Sequence, residues 1–150
     1  MKIALAADHA GYELKEKLKP LLSERGHEFL DLGTHSTAPV DYPDLALKVA
    51  QLVAGGECDR GITVCGTGIG CCITANKVPG IRAAVCSDTF SARFSRDHNN
   101  VNVLCLGARV LGIGLAQDVV DTWLKQPFSE EKRHRRRVNR IGEIERSTHA

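Results

Sequence analysis

Ile62–Cys72 reads ITVCGTGIGCC, a short apolar run that ends on Cys65 and passes into glycines at 66, 68 and 70. Ile62, Thr63 and Val64 are β-branched and suit a pleated backbone; a run this short and this continuously apolar fits a strand buried on both faces. Such strands belong to parallel sheets covered by helices. The glycines strip side chains from the turn that follows, so a ligand there meets backbone N–H groups next to a thiol. The stretch thus points to an α/β fold with a site at the carboxyl end of one strand.

Working outward, similar apolar runs recur at Lys2–Ala7, His27–Leu32, Ile81–Cys86 and Val101–Leu106, giving five expected strands with Gly61–Cys65. Between them the spacing turns helical. Leu14, Leu18, Leu21 and Leu22 fall at i, i+4, i+7 and i+8, and Leu115, Val119, Val120, Trp123 and Leu124 repeat the pattern. Parallel neighbours need crossover connections, so alternating strands and helices predict one Rossmann-like domain with helices on both faces, in the common 2-1-3-4-5 order. Gly33–Asp44, with two prolines, reads as an ordered loop leading into a helix from about Leu45 to Ala54. Residues 1–125 form the expected core and 126–150 a basic helical tail, in which Val138, Ile141 and Ile144 make a thin apolar stripe.

The chain has 150 residues and a formal net charge of +2, enough for one well-packed core and too neutral to call for a nucleic-acid partner. The six cysteines include no C-x2-C pair, and adjacent Cys71 and Cys72 point in different directions, so no metal site is expected. The amino terminus lacks secretory architecture and no apolar run approaches the roughly 18 residues of a membrane span. Reduced thiols in a cytoplasm are the expectation.

In an open parallel sheet ligands bind beyond the carboxyl ends of the strands, at the point where connections diverge. There the first strand delivers Asp8 and His9, the third Cys65 and its glycines, and the fifth Gly107 and Arg109. The turn matches neither a P-loop nor a dinucleotide fingerprint: it has no lysine, and it follows the third strand instead of the first. Its amides suit an anion or a developing oxyanion, and their field lowers a thiol pKa. The alternative is a buried Cys65 acting as a small hydrophobe beside glycines that only permit tight packing. His98 and Asn99 read equally as helix-end residues. Arg133 and Arg137, one turn apart, form either a phosphate clamp or part of a solvated face. As an RNA patch the tail lacks aromatic residues for stacking.

Taken together, ADHAG (Ala7–Gly11), DYPD (Asp41–Asp44), CGTGIG (Cys65–Gly70), ANKVPGIRAA (Ala75–Ala84), DHNNVNVLCLGARV (Asp97–Val110) and RHRRRV (Arg133–Val138) resemble the type B ribose-5-phosphate isomerases and the related galactose-6-phosphate isomerase subunits. The resemblance spans nearly the whole chain. It implies a cofactor-independent aldose–ketose isomerase working through an enediolate, with ribose 5-phosphate as substrate. It makes Cys65 the proton-transferring base and His98 the ring-opening group. Thr67 and the turn of Gly66, Gly68, Ile69 and Gly70 stabilise the enediolate; Asp8 and Asn99 hold sugar hydroxyls and Tyr42 borders the pocket. His9, Arg109, Arg133 and Arg137 hold the phosphate. The implied partner is a second copy, in a homodimer with shared active sites or a dimer of dimers. Part of the family has glutamate where this chain has Cys71, which makes Cys71 an understudy for the base. The alternatives are a six-carbon sugar phosphate of the allose or galactose 6-phosphate type and, from another class, a nucleotide- or RNA-binding module.

Overall fold

The computed structural model describes residues 1–149. Along the chain run β1 (Lys2–Ala7), α1 (Tyr12–Glu24), β2 (Glu28–Asp31), α2 (Tyr42–Ala54), β3 (Arg60–Cys65), α3 (Ile69–Ala75), β4 (Ala83–Val85), α4 (Thr89–Asp97), β5 (Val103–Gly107), α5 (Ile113–Lys125) and α6 (Lys132–Thr148). All strand pairings are parallel, so the expected five-stranded α/β sheet forms. Its period-two alternation divides the core. Ile3, Leu5, Ile62, Val64, Leu104 and Leu106 pack with α1 and α5 on one face, while Ala4, Ala6, Cys65, Val103 and Cys105 pack with α2 and α3 on the other. Among the described residues, no helix is long and apolar enough to cross a membrane.

The strand order is β2-β1-β3-β5-β4, which corrects the expected 2-1-3-4-5 arrangement. Burial supplies the reason. Every residue of β5 is buried, as an interior strand covered on both faces requires, whereas the three residues of β4 are only partly buried and suit an edge. The exchange matters for the site, because Cys65 pairs directly with Gly107 and Arg109 follows two residues on. A second difference is the start of α2 at Tyr42, three residues before the expected Leu45. Pro43 lies in the first turn, where its missing N–H costs no helical hydrogen bond.

Lys15, on the buried face of α1, is fully buried and ties that helix to β2 through Asp31 at 2.6 Å, while Lys19 pairs with the same carboxylate. Burial raises the Asp31 pKa, but hydrogen bonds from Lys15 and Lys19 outweigh it and bring the value down to about 2. A carboxylate depressed on folding contributes stability above its unfolded pKa and loses it as pH falls through the folded value. The urea midpoint should therefore decline between about pH 4 and about pH 2. Asp31→Asn should flatten that slope; an unchanged slope would remove Asp31 from the acid response.

Candidate active site

The carboxyl ends of β1, β3 and β5 open into a pocket of about 470 Å³ lined by Asp8, His9, Ala10, Tyr42, Cys65, Gly66, Thr67, Ile69, Gly70, Ile73 and Arg109. Strand β1 ends one residue before Asp8, whose buried carboxylate accepts the Gly11 N–H at 3.0 Å. At His9, Nδ1 accepts the Val40 N–H at 3.2 Å, so in the neutral ring Nε2 carries the proton and serves as a donor. The Gly33–Asp41 connection thereby sets the histidine tautomer. Arg109 is held beside the thiol because its N–H donates to the Gly66 carbonyl at 3.0 Å, and Ala108 N–H donates to the Cys65 carbonyl at 2.8 Å.

Cys65 is almost fully buried at the floor of the pocket, and its sulfur accepts the Gly68 N–H at 3.1 Å. Gly68 adopts φ +79°, a left-handed conformation that glycine takes without strain and that turns its amide toward the sulfur. The Cys71 thiol is the strongest influence on Cys65: its hydrogen bond, with the N–H groups of Cys71, Gly68 and Thr67, outweighs burial and lowers the pKa to about 6. Cys71 moves the other way, pushed up by that hydrogen bond and by its own burial. These opposite directions favour Cys65 as the thiolate and Cys71 as its protonated neighbour. Alkylation of Cys65 by iodoacetamide should rise as pH goes up through about 6 and level off above it, well below the range of an ordinary thiol. Rates that climb only above pH 8 would contradict the donor arrangement.

Tyr42, from the first turn of α2, lies against Gly70, where a Cβ would overlap its ring. The lack of a side chain at 70 is thus what lets the tyrosine border the pocket. Ala10 and Ile73 also line it, although neither stood out in the sequence. Ile73 was accessible through helical spacing, since it lies four residues after Ile69 on α3.

A family model described as Ribose/Galactose Isomerase matches residues 3–141. The chain belongs to that family. It is 51% identical to ribose-5-phosphate isomerase B of Escherichia coli over 144 residues, 96% of each chain. Among solved structures it is similar to Clostridium thermocellum ribose-5-phosphate isomerase B, with 57% identity, 99% of both chains covered and a TM-score of 0.96. Ribose-5-phosphate isomerase B of Mycoplasma genitalium with bound ribulose 5-phosphate is 39% identical, with 97% of this chain and 96% of that one covered and a TM-score of 0.92.

Not every expected site residue of this family member meets in the pocket. His98, Asn99, Arg133 and Arg137 are absent from its lining. His98 caps the carboxyl end of α4, opposite the end that Asp88 caps, and stacks on His134 of α6 with ring centroids 4.1 Å apart and planes within 8°. Phe94 packs on its other side at 4.7 Å. The Asn99 carbonyl accepts from Arg82 Nε at 3.1 Å, Arg133 pairs with Glu131 at 2.7 Å, and Arg137 is exposed. The expected site residues therefore fall into two separate groups: those of the thiol pocket at the carboxyl edge of the sheet, and those near the ring stack where α4 meets α6.

Proposed function

We propose that the chain interconverts ribose 5-phosphate and ribulose 5-phosphate, with Cys65 as the base. The chain is a sugar-phosphate aldose–ketose isomerase, and the Cys65 thiol that lines the pocket, accepts the Gly68 N–H and has its pKa lowered to about 6 is the observation that carries the mechanism. In the open-chain aldose the Cys65 thiolate takes the proton from C2, and the electrons move through C1 onto the carbonyl oxygen to give an enediolate. A proton shift from the C2 hydroxyl to the C1 oxygen, with return of the carbon-bound proton to C1, completes the ketose. Thr67 and the pocket-lining residues of the turn, Gly66, Ile69 and Gly70, stabilise the enediolate oxygens, which carry more charge in the transition state than in either sugar, while the Gly68 N–H is held by the Cys65 sulfur. Asp8 holds hydroxyls, while the His9 Nε2–H and the Arg109 guanidinium hold phosphate. No step requires a metal or an organic cofactor.

His98 opens the furanose ring, Asn99 holds a hydroxyl, and Arg133 and Arg137 complete the phosphate clamp, all from a second copy of the chain. Two features support a shared site: these four residues lie outside the pocket of their own chain, and Ile69 and Ile73 at its rim are more than half exposed. A two-fold pair supplies both halves twice. Residues 1–150 act as one isomerase domain, with 1–125 the core and 126–150 the tail that reaches the partner. A thiolate base suits a reducing compartment, hence the cytoplasm.

Steady-state assays in the presence of chelator, with ribose 5-phosphate, allose 6-phosphate and galactose 6-phosphate, test the substrate. The expected result is the highest kcat/KM with ribose 5-phosphate, and a higher value with either six-carbon sugar would overturn that choice. Arg137→Ala should mainly raise KM for ribose 5-phosphate, roughly ten- to a hundredfold, as loss of a charge-assisted contact of about 1.5–3 kcal/mol requires. Phosphate contacts act in ground and transition states alike, so kcat should fall less. An unchanged KM would take Arg137 out of the site.

A further inference from the structure

Proton transfer by Cys65 leaves the second thiol without a chemical task of its own. Cys71 is 2% exposed, belongs to the same buried cluster as Cys65, and lies near enough for its thiol to be the main cause of the lowered Cys65 pKa. The two flank the glycine turn, Cys65 as the last residue of β3 and Cys71 as the third of α3. Three of the five residues between them are glycines, a backbone able to adjust when its ends are joined. Access to the two differs. Cys65 lines the pocket and Cys71 does not, so a small solute entering by the substrate's route meets Cys65 first, and Cys65 in turn meets Cys71. Cys72 is directed elsewhere, with its sulfur 3.4 Å from the Ala83 carbonyl oxygen and hydrogen-bonded to Cys105.

We propose that Cys65 and Cys71 form a reversible modification site: hydrogen peroxide oxidises Cys65, and Cys71 closes the product as an intramolecular disulfide that shuts the isomerase off until a thiol reductant reopens it. In the first step the Cys65 thiolate attacks one peroxide oxygen, the O–O bond breaks, and the departing hydroxide takes a proton from solvent to become water. Cys65 is left as a sulfenic acid. In the second, the Cys71 sulfur attacks the Cys65 sulfur, the S–O bond breaks, and the hydroxyl leaves as water with the Cys71 proton. Two thiols give up two electrons and two protons, and one peroxide becomes two waters. Electrostatics orders the steps. The Cys65 thiolate helps to hold the Cys71 proton in place, and that restraint disappears once Cys65 is a neutral sulfenic acid. Without Cys71, excess peroxide carries the sulfenic acid on to sulfinic acid, which dithiothreitol does not reduce.

The shut-off rests on the assignment of Cys65 as base; the bond does not. Wild-type, Cys71→Ser and Cys72→Ser proteins are treated with hydrogen peroxide, blocked with N-ethylmaleimide in denaturant, and analysed by peptide mass spectrometry. Each is also assayed against its own untreated rate, before and after dithiothreitol. The wild type and Cys72→Ser should lose two hydrogen masses in the 61–77 peptide, lose roughly tenfold or more of their rate, and recover it with dithiothreitol. Cys71→Ser should gain oxygen at Cys65 and stay inactive, and ribose 5-phosphate should slow oxidation of Cys65 in all three. A bond that persists in Cys71→Ser, or wild-type inactivation that dithiothreitol cannot reverse, would overturn the inference. A wild-type protein that carries the bond yet keeps its full rate would overturn the base assignment, and with it the shut-off.

Discussion

Cys65→Ala should bring isomerisation of ribose 5-phosphate down by roughly 10²–10⁴-fold or to background, with little change in KM and a folded protein by circular dichroism. Every donor around the sulfur would survive the substitution, because Gly68, Thr67 and Cys71 contribute backbone N–H groups that do not depend on residue 65. Only the atom that moves the proton is lost. Trimming one buried sulfur should cost about 1 kcal/mol of stability, too little to unfold an ordinary domain. Cys71→Ala is the matched control. It removes the strongest donor to the Cys65 thiolate, so it should keep most of the plateau rate while its pH profile moves upward from about 6. An inactive Cys71→Ala beside an active Cys65→Ala would reverse the two roles.

Most strands were legible because they are largely apolar runs, and β1 at Lys2–Ala7 has the limits its composition predicts, whereas β2, EFLD, alternates with carboxylates. The convergence of Asp8, His9 and Cys65 was legible too, since residues just beyond the carboxyl ends of neighbouring strands must share one edge, whereas Arg109 joins them because β5 is the strand beside β3. The order of the last two strands was inferred the wrong way round, although the signal existed: VLCLG is apolar throughout, whereas IRAAVC carries Arg82, whose guanidinium Nε donates to the Asn99 and Asn100 carbonyls. Weighing that contrast would have placed β5 inside and β4 at the edge. What pattern could not show is side-chain direction. Cys71 and Cys72 are adjacent in sequence, yet one thiol faces Cys65 and the other the Ala83 carbonyl, a difference set by the phase of a seven-residue helix. The His98–His134 stack escaped for a similar reason, because 35 intervening residues, including β5 and α5, separate its rings. The tail was read as a helix with little to bury, and most of α6 is exposed; His134 and a Glu145 contact to the Gly80 N–H at 3.0 Å hold it to the core.

His98→Ala should lose nearly all activity on the closed furanose, and mixing it with Cys65→Ala should restore part of what each lacks alone. Helix α4 begins beside the carboxyl edge at Asp88 and runs nine residues, about 13 Å at 1.5 Å each, to His98. The distance from that edge, and the absence of His98 from the pocket lining, are the grounds for proposing that a second copy brings His98 to the sugar at Cys65. In a two-fold pair, each site takes its thiol from one subunit and its imidazole from the other. A mixed dimer of the two variants then holds one site with both wild-type groups and one with neither. Random pairing makes half the dimers mixed, so about a quarter of all sites should regain activity. The experiment needs subunit exchange verified by mass or by a fluorescent label, because unexchanged parents would stay inactive whatever the architecture. Exchange without recovery would mean that His98 serves its own chain or has no catalytic role, and the second copy would then have no part in ring opening.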